Sequence, residues 1–344
     1  MSQREPYSDD SCLHPFLGLL LAGSVYAGRR LIASFERHGE DRINPEISSI
    51  LTRWLRPRLG QLQHHRPVPL RFPDFYYKRT SRSSTPRISV VTPSLNQGRF
   101  LGAACESVLS QKYPALEYIV RDGKSTDESH SVLRLFENRI TAVRIAEDGG
   151  QAQALNLGFA ESTGEIMAWL NADDILLPGS LDYVAAFFSR RPDVDLIYSH
   201  RILIDESGRE IGRWILPPFD DDMLRWADYV PQETMFWRRS LWEKSGGALD
   251  EKFAYALDWE LLLRFMRHGA RIHRVPRFLG GFRVHALQKT QTNASTSGAK
   301  EIAQLLENLH GRKVSLQEVS SRTKLYFARS TVYDALYRLG VLRA

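Results

Sequence analysis

Four short stretches concentrate side chains able to do chemistry: Thr92-Pro93-Ser94, Asp122-Gly123, Glu147-Asp148-Gly149-Gly150 and Asn171-Ala172-Asp173-Asp174. Each follows an apolar run, and three of the four carry carboxylates. Acids gathered at one rim repel one another, so a cation or a cation-bound ligand is the expected counterpart. In LNADDILLPGSL, Asp173 and Asp174 stand directly after a hydrophobic strand and before a helix. Hard oxygen ligands in such a turn suit Mg2+ or Mn2+, ions that complete their shells with phosphates and water. An acidic turn can also be a helix N-cap. Here Ser180, after Pro178 and Gly179, is the better cap, which leaves both aspartates for the cation. Further on, EKFAYALDWELLLR puts Asp258 and Glu260 at the start of a helix with an apolar stripe through Leu261, Leu262 and Phe265. A carboxylate there is either a cap or a catalytic base, and spacing alone does not choose. In GGFRVHALQKT, His285 sits in a polar, glycine-preceded stretch unlike a core strand, and imidazole is a frequent ligand of divalent metals. His64, His65, His268 and His273 have no comparable surroundings and read as surface residues.

These residues need elements to hold them. ISVVTPS, LEYIVRD, ITAVRIA and EIMAWL read as strands, and residues 99–111, 128–137, 151–161 and 180–189 have helical spacing. Four strand-helix repeats within roughly 100 residues predict an α/β fold, with a mostly parallel sheet covered by helices on both faces. Ligands of such sheets bind beyond the carboxyl ends of the strands, the rim where all four stretches fall.

The 344 residues, 43% hydrophobic and 25% charged, have the composition of an ordinary globular chain. Cys12 and Cys105 lie in unrelated contexts without metal-ligand spacing, so neither a disulfide framework nor a structural zinc is expected, and a reducing cytoplasm is the natural location. The net charge of +6 divides unevenly: residues 1–87 carry 14 Lys and Arg against 8 Asp and Glu, residues 88–298 carry 24 against 28, and residues 299–344 carry 8 against 4. An acidic centre between basic flanks excludes a basic domain built to neutralise nucleic-acid phosphates. No apolar run reaches the roughly 18 residues of a membrane span. The longest candidate, Phe16 to Ala27, reads either as the start of an amphipathic helix at a membrane surface or as a helix packed on the core. Residues 56–87, rich in Pro, Arg and Ser, read as a linker or a surface-hugging arm. Three regions follow: an N-terminal extension over 1–87, a catalytic domain over 88–298 and a basic helical C-terminal extension over 299–344.

As a set, the runs ISVVTPSLNQGRFLGAACESVLSQKYPALEYIVRDGKSTDES, AEDGGQAQALNLGFAESTGEIMAWLNADDILLPGSL, QETMFWRRSLWEKSGGALDEKFAYALDWELLLRF and GFRVH resemble the nucleotide-sugar-dependent family 2 glycosyltransferases in order and spacing. The resemblance spans about 200 residues, an ordinary domain length. It implies a GT-A fold, Rossmann-like, with helical extensions at both ends. It also implies an inverting, metal-dependent transfer of a hexose-type sugar from a nucleoside diphosphate to a hydroxyl of a glycan or lipid-linked glycan, as in bacterial surface polysaccharide synthesis. On this resemblance Thr92, Pro93 and Ser94, with Asn96, cradle the nucleotide, while Asp122 and Gly123 meet its base and ribose. Gln151 and Asn156 close over the donor, and Asn171 and Asp174 flank it. Asp173, the last acid of the DxD motif, meets Mn2+ or Mg2+ together with His285. Asp258 takes the proton of the acceptor hydroxyl, and Trp237, Arg238 and Arg239 line the acceptor side.

Three positions depart from the commonest family pattern. Lys124 replaces a glycine, adding a cation and a Cβ near the nucleotide. Asn171 replaces the first acid of DxD and keeps an oxygen donor. Leu257 replaces a Glu before the base, which removes an acidic neighbour and predicts a lower pKa for Asp258. A non-catalytic nucleotide-sugar or glycan-binding protein of the same fold is disfavoured by the retained Asp173 and Asp258. A nucleotidyltransferase is disfavoured by TPSLNQGRF, which stands where a glycine-rich activating loop would. The C-terminal tail, with Ile302, Leu305, Leu306 and Leu309 at helical spacing, either braces the catalytic domain or touches the inner face of an anionic membrane where a lipid-linked acceptor resides.

Overall fold

The β-branched run Ile88–Ser94 forms β1, buried along its whole length. A strand with no solvent-facing side needs cover on both faces, and its alternating side chains find it. Ile88 and Val90 pack with Tyr118, Val120, Ile166 and Ala168 on one face, beneath α1 (Gly98–Leu109) and, after the third helix, α4 (Ser180–Arg190). Val91 packs with Ile119, Met167 and Trp169 on the other, beneath α3 (Gln151–Glu161). The short α2 is Ser129–Arg134. The chain is seen as a computed structural model describing residues 58–78, 84–286, 288 and 297–344. The Phe16 to Ala27 stretch lies outside the described residues.

β2 (Leu116–Asp122), β3 (Ala142–Ile145) and β4 (Ile166–Trp169) join β1 in the parallel order β3-β2-β1-β4. Their carboxyl ends form one rim, with Ser94 opposite Asp122 and Asp122 opposite Ile145. Beyond β4 the sheet becomes mixed. β5 is Ile175–Leu176, β6 Leu196–Ile204, β7 Glu210–Trp214, β8 Phe236–Arg238 and β9 Ile272–Arg283. β8 runs antiparallel to β4 and β6, β6 pairs parallel with β9 and antiparallel with β7, and β5 closes the edge antiparallel to β9. Gly280 and Gly281 of β9 lie opposite β5, and a Cβ on Gly280 would sit 2.5 Å from the Glu233 carbonyl oxygen. The glycine lets the 232–234 turn press onto the sheet. Three helices follow in this half: α5 (Asp221–Leu224), α6 (Arg239–Lys244) and α7 (Leu257–Arg267).

The described part of the N-terminal arm packs on β7. Leu59, Leu62 and Tyr76 are buried, Val68 bridges to Glu210, and Trp214 Nε1 donates to Gln61 O at 2.7 Å. His64, expected at the surface, is wedged in this seam. Its Nδ1 accepts the Arg213 N–H at 3.2 Å and its Nε2 lies 3.1 Å from Arg58 O. Burial and the Arg58 charge push its imidazole down to about 3. At the other end, α8 (Ala299–His310) and α9 (Leu316–Arg338) place Ile302, Leu305, Leu306, Val319, Tyr326 and Phe327 in the same core as α3 and α7. Among the described residues no helix is long and apolar enough to cross a membrane.

Candidate active site

At the rim, a cleft of about 340 Å³ opens between the parallel strands and the mixed half of the sheet. Its first wall is the turn after β1, built by exchange with the turn after β2. Gly123 N–H donates to Ser94 O, Asn96 N–H to Ser125 Oγ and Thr126 N–H to Asn96 Oδ1, all at 2.8 Å. Asn96 holds a φ of 52°, a left-handed conformation that Asn tolerates. Asp122 is buried and fully engaged. Ser125 N–H donates to Oδ1 and Ser125 Oγ to Oδ2, each at 2.8 Å, and His130 Nε2 lies 3.0 Å from Oδ1. Lys124 has a φ of 66°, a left-handed conformation that favours glycine, and an exposed side chain. Pro93 and Ser94 line the cleft, and Ser94 Oγ is buried without a hydrogen-bond partner. Thr92 turns away, its hydroxyl 3.1 Å from Tyr118 Oη in the core.

The second wall follows β4. Gln151 Nε2 donates to Asn171 Oδ1 (2.8 Å), Asn171 Nδ2 to Gln232 Oε1 (3.1 Å) and Gln232 Nε2 to Trp169 O (3.0 Å). This relay accounts for the amide at position 171, because a carboxylate has no N–H to give Gln232. Asp173 Oδ2 and His285 Nε2 lie 3.0 Å apart, with the His285 ring against Phe100 at a centroid distance of 4.7 Å. Among the described residues no group of three or more His, Cys, Asp or Glu is placed to hold a metal ion. Asp174 turns inward, where its Oδ1 accepts the Arg283 N–H at 2.9 Å, and Arg283 Nε donates to Asp173 O at 2.7 Å. Ser180 does not cap α4. Gly179, with a φ of 69°, precedes the helix without a side-chain cap, and Ser180 Oγ donates to Leu279 O at 2.9 Å. Asp174 therefore has a structural task, tying the turn to β9.

The third wall was not visible in the sequence. Arg201, which follows Ser199 and His200 in β6, donates Nε to Glu233 Oε1 (2.9 Å) and Nη2 to Glu233 Oε2 (2.7 Å), with both residues buried. Its guanidinium lies 4.7 Å from the Trp214 ring centroid and 4.3 Å from that of Phe282. Asp228 and Asp258 line the cleft beside this pair. Asp228 Oδ1 is buried without a partner, while Asp258 Oδ1 accepts the Trp259 N–H at 3.0 Å in the first turn of α7. Burial pushes the Asp258 carboxyl up to about 6, the Trp259 N–H and Arg201 opposing it and Glu233 adding to it. Burial, with the charge of Asp258, drives Asp228 well above the carboxylate range. The lower pKa expected from Leu257 is thus overturned, because burial, with Glu233 adding to it from a position remote in sequence, outweighs the missing acidic neighbour.

Two groups of expected site residues lie elsewhere. Asn156 clamps the loop after α6, with Nδ2 donating to Leu249 O at 3.1 Å and Oδ1 accepting the Leu249 N–H at 2.7 Å. β8 is antiparallel to β4, so Arg238 sits opposite Ile166 at the amino end of that strand, across the sheet from the rim. Trp237 is fully buried, and the Arg238 guanidinium donates to the carbonyls of Val194, Phe188 and Arg191. Arg239 donates to Gly164 O at 2.7 Å, at the same end. One signal could have exposed the third wall: an arginine in a strand that begins and ends in apolar residues, as in LIYSHRILI, needs a buried partner. Asp228, in a turn with no motif around it, offers none.

Because Asp258 titrates higher in the fold than its ordinary 3.8, stability is lost as pH rises through about 6. Asp258→Asn is therefore expected to raise Tm most at pH 8, by up to about 3 kcal/mol of stability, and by only about half as much at pH 5, which lies inside the window between 3.8 and about 6. Equal Tm differences at the two pH values would refute the raised pKa.

Comparison with known proteins agrees with this geometry. Residues 89–243 match the family model for Glycosyl transferase family 2. The chain is 30% identical over 226 residues to the O-antigen biosynthesis protein RfbC of Myxococcus xanthus, a match covering 64% of this chain and 17% of that protein, so the chain spans a small part of this relative's length. In structure it resembles the mannosyltransferase PcManGT of Pyrobaculum calidifontis, described in complex with GDP-Man and Mn2+, with a TM-score of 0.53 at 18% identity, covering 86% of this chain and 83% of that one. It also resembles S. aureus TarS 1-349, described in complex with UDP-GlcNAc, with a TM-score of 0.51 at 17% identity, covering 74% of this chain and 92% of that one. Residues 89–243 are thus similar to glycosyl transferase family 2, and the chain has the GT-A fold.

Proposed function

We propose that the chain transfers a sugar from a nucleoside diphosphate to a hydroxyl of a glycan or lipid-linked glycan, inverting the anomeric carbon, as a step in bacterial surface polysaccharide assembly. The observation that carries this reading is Asp258, a carboxyl pushed up to about 6 that lines the same cleft as Ser94 and Asp173. A base of that strength is ionised at neutral pH and still accepts a proton readily. As the acceptor oxygen bonds to the anomeric carbon, Asp258 takes the hydroxyl proton. The bond from that carbon to the phosphate oxygen breaks, and its electron pair leaves with the diphosphate. Attack from the face opposite the leaving group inverts the centre.

Ser94 Oγ and Trp169 Nε1, buried in the cleft lining without partners, are suited to the donor's polar groups. Asp173 and His285, whose Oδ2 and Nε2 lie 3.0 Å apart, would hold Mn2+ or Mg2+. When bound, such an ion would neutralise charge building on the departing diphosphate. The two structural neighbours are described with different nucleotides, so UDP- and GDP-sugars are both candidate donors. For a lipid-linked acceptor, the exposed Leu325 and Val332 of α9 and Leu339 just after it recur every seven residues, with Lys324 beside them, and support contact with an anionic membrane surface.

The base must be ionised to act, so kcat/KM is expected to fall as pH drops below about 6 and to stay level above it. Asp258→Asn should lose at least about 10²-fold in turnover with donor affinity retained; turnover that survives this substitution removes the base assignment. Asp173→Ala should weaken calorimetric binding of UDP or GDP in the presence of MnCl2 and have no effect in its absence. Equal binding by both proteins with MnCl2 would exclude the metal role. The Leu325→Glu, Val332→Glu double variant should float less with anionic phospholipid vesicles than the parent, and equal flotation argues against this face.

A further inference from the structure

The helix that bears Asp258 is capped from outside its own segment. Glu301, in the first turn of α8, accepts three successive backbone N–H groups on Oε2: Ala254 at 3.1 Å, Tyr255 at 2.8 Å and Ala256 at 3.0 Å. These residues lead directly into α7, and the N-cap residue Ala256 provides no side-chain hydrogen bond. N–H groups at a helix start have no partner within the helix, and a carboxylate there is favoured by the helix dipole. Here one carboxylate from the C-terminal extension serves the whole entry to the helix. The fit leaves no slack, because a Cβ on Gly298 would lie 2.8 Å from Tyr255 Cγ. Ile302, beside Glu301, is buried and lines the cleft, as does Tyr255, whose hydroxyl is buried without a partner. The matched family segment ends at residue 243, so both the helix and its cap lie beyond it.

We infer that Glu301 is a positioning residue for the transfer reaction, fixing residues 254–256 so that Asp258 is held in the cleft. The C-terminal extension is on this view part of the catalytic apparatus. The inference rests on the assignment of Asp258 as the base.

The test compares Glu301→Ala, Glu301→Gln and Gly298→Ala with the full-length parent. The substrate is whichever sugar nucleotide raises Tm most in a screen of UDP-, GDP- and dTDP-sugars with MnCl2. Release of nucleoside diphosphate and the Kd of that donor are measured at a temperature where circular dichroism shows each variant folded. Glu301→Ala is expected to lose about 10²-fold in kcat, the scale of a small misplacement of a reacting group, with donor Kd unchanged. Glu301→Gln, which keeps an oxygen to accept the N–H groups, should recover most of that loss, and Gly298→Ala should reproduce part of it. A folded Glu301→Ala with parental kcat overturns the inference, as does a parallel loss of donor affinity. Should Glu301→Ala fail to fold, parental kcat in both other variants overturns it equally. Asp258→Asn separates the two assignments. If it is active, the base role itself fails; if it is inactive beside a fully active Glu301→Ala, only the positioning role fails.

Discussion

One guanidinium organises this site. Arg201 is buried within reach of the charges of Glu233, Asp174 and Asp228, and it also acts on Asp258. Charge arithmetic then dictates the protonation pattern. Glu233 takes both forks of the guanidinium in a bidentate pair, the arrangement that best repays the desolvation of two ions. The remaining acids share what is left of one positive charge in a low-dielectric pocket. Burial drives Asp174 and Asp228 well above the carboxylate range, and Asp258, helped by the Trp259 N–H, reaches about 6. The raised pKa of the proposed base therefore comes first from burial, with the Trp259 N–H and Arg201 opposing it and Glu233 adding to it. Replacing Arg201 would leave Glu233 buried and unpaired, a change of the severe kind.

The sheet brings this cluster to the nucleotide-type turns by changing sense halfway across. The parallel strands deliver Ser94, Asp122 and the Asn171 to Asp174 turn to one rim, because parallel strands end together. β6 and β9, parallel to each other, add Arg201 and Arg283 from the other half. Arg283 is the junction. Its backbone N–H holds Asp174, its side chain holds the Asp173 carbonyl, and two residues later His285 meets the Asp173 carboxylate. The acid turn and the histidine, over a hundred residues apart in sequence, are set by one strand.

Much of this was legible because it is local. Apolar runs ending in acids mark the parallel strands, and the predicted 151–161 helix coincides with α3. Asp173, Asp258 and His285 stand in contexts that strand and helix periodicity do not explain away, and all three fall at or beside the cleft. What failed depended on direction or on remote partners. Trp237 and Arg238 read as site residues until β8 proved antiparallel, which carries them to the far end of the sheet. Thr92 is adjacent to the cleft-lining Pro93, yet strand alternation turns its hydroxyl into the core. Glu233 and Asp228 have no local signature, since their meaning lies in Arg201, contributed by a different element.

The extensions complete the pocket that the family segment begins. Asp228 belongs to the loop after α5, and Asp258 to α7. Trp259 Nε1 donates to Leu224 O at 2.8 Å, tying the loop to the helix. From outside, α9 holds the same loop through Tyr326 against Tyr229 (centroids 4.5 Å apart) and holds the start of α5 through Arg329 against its N-cap Asp220 (3.1 Å). His310, at the end of α8, stacks on Trp226 at 4.0 Å. Such ring and ion contacts at a partly exposed seam are individually modest, near 1 kcal/mol or about that for each pair. Their effect is geometric. The Asp258 carboxyl is raised first by burial, so a frame that holds α7 against this loop preserves the pKa of the base. The tail helices supply that frame, so their bracing role is electrostatic in its consequence even though it is apolar and aromatic in its contacts.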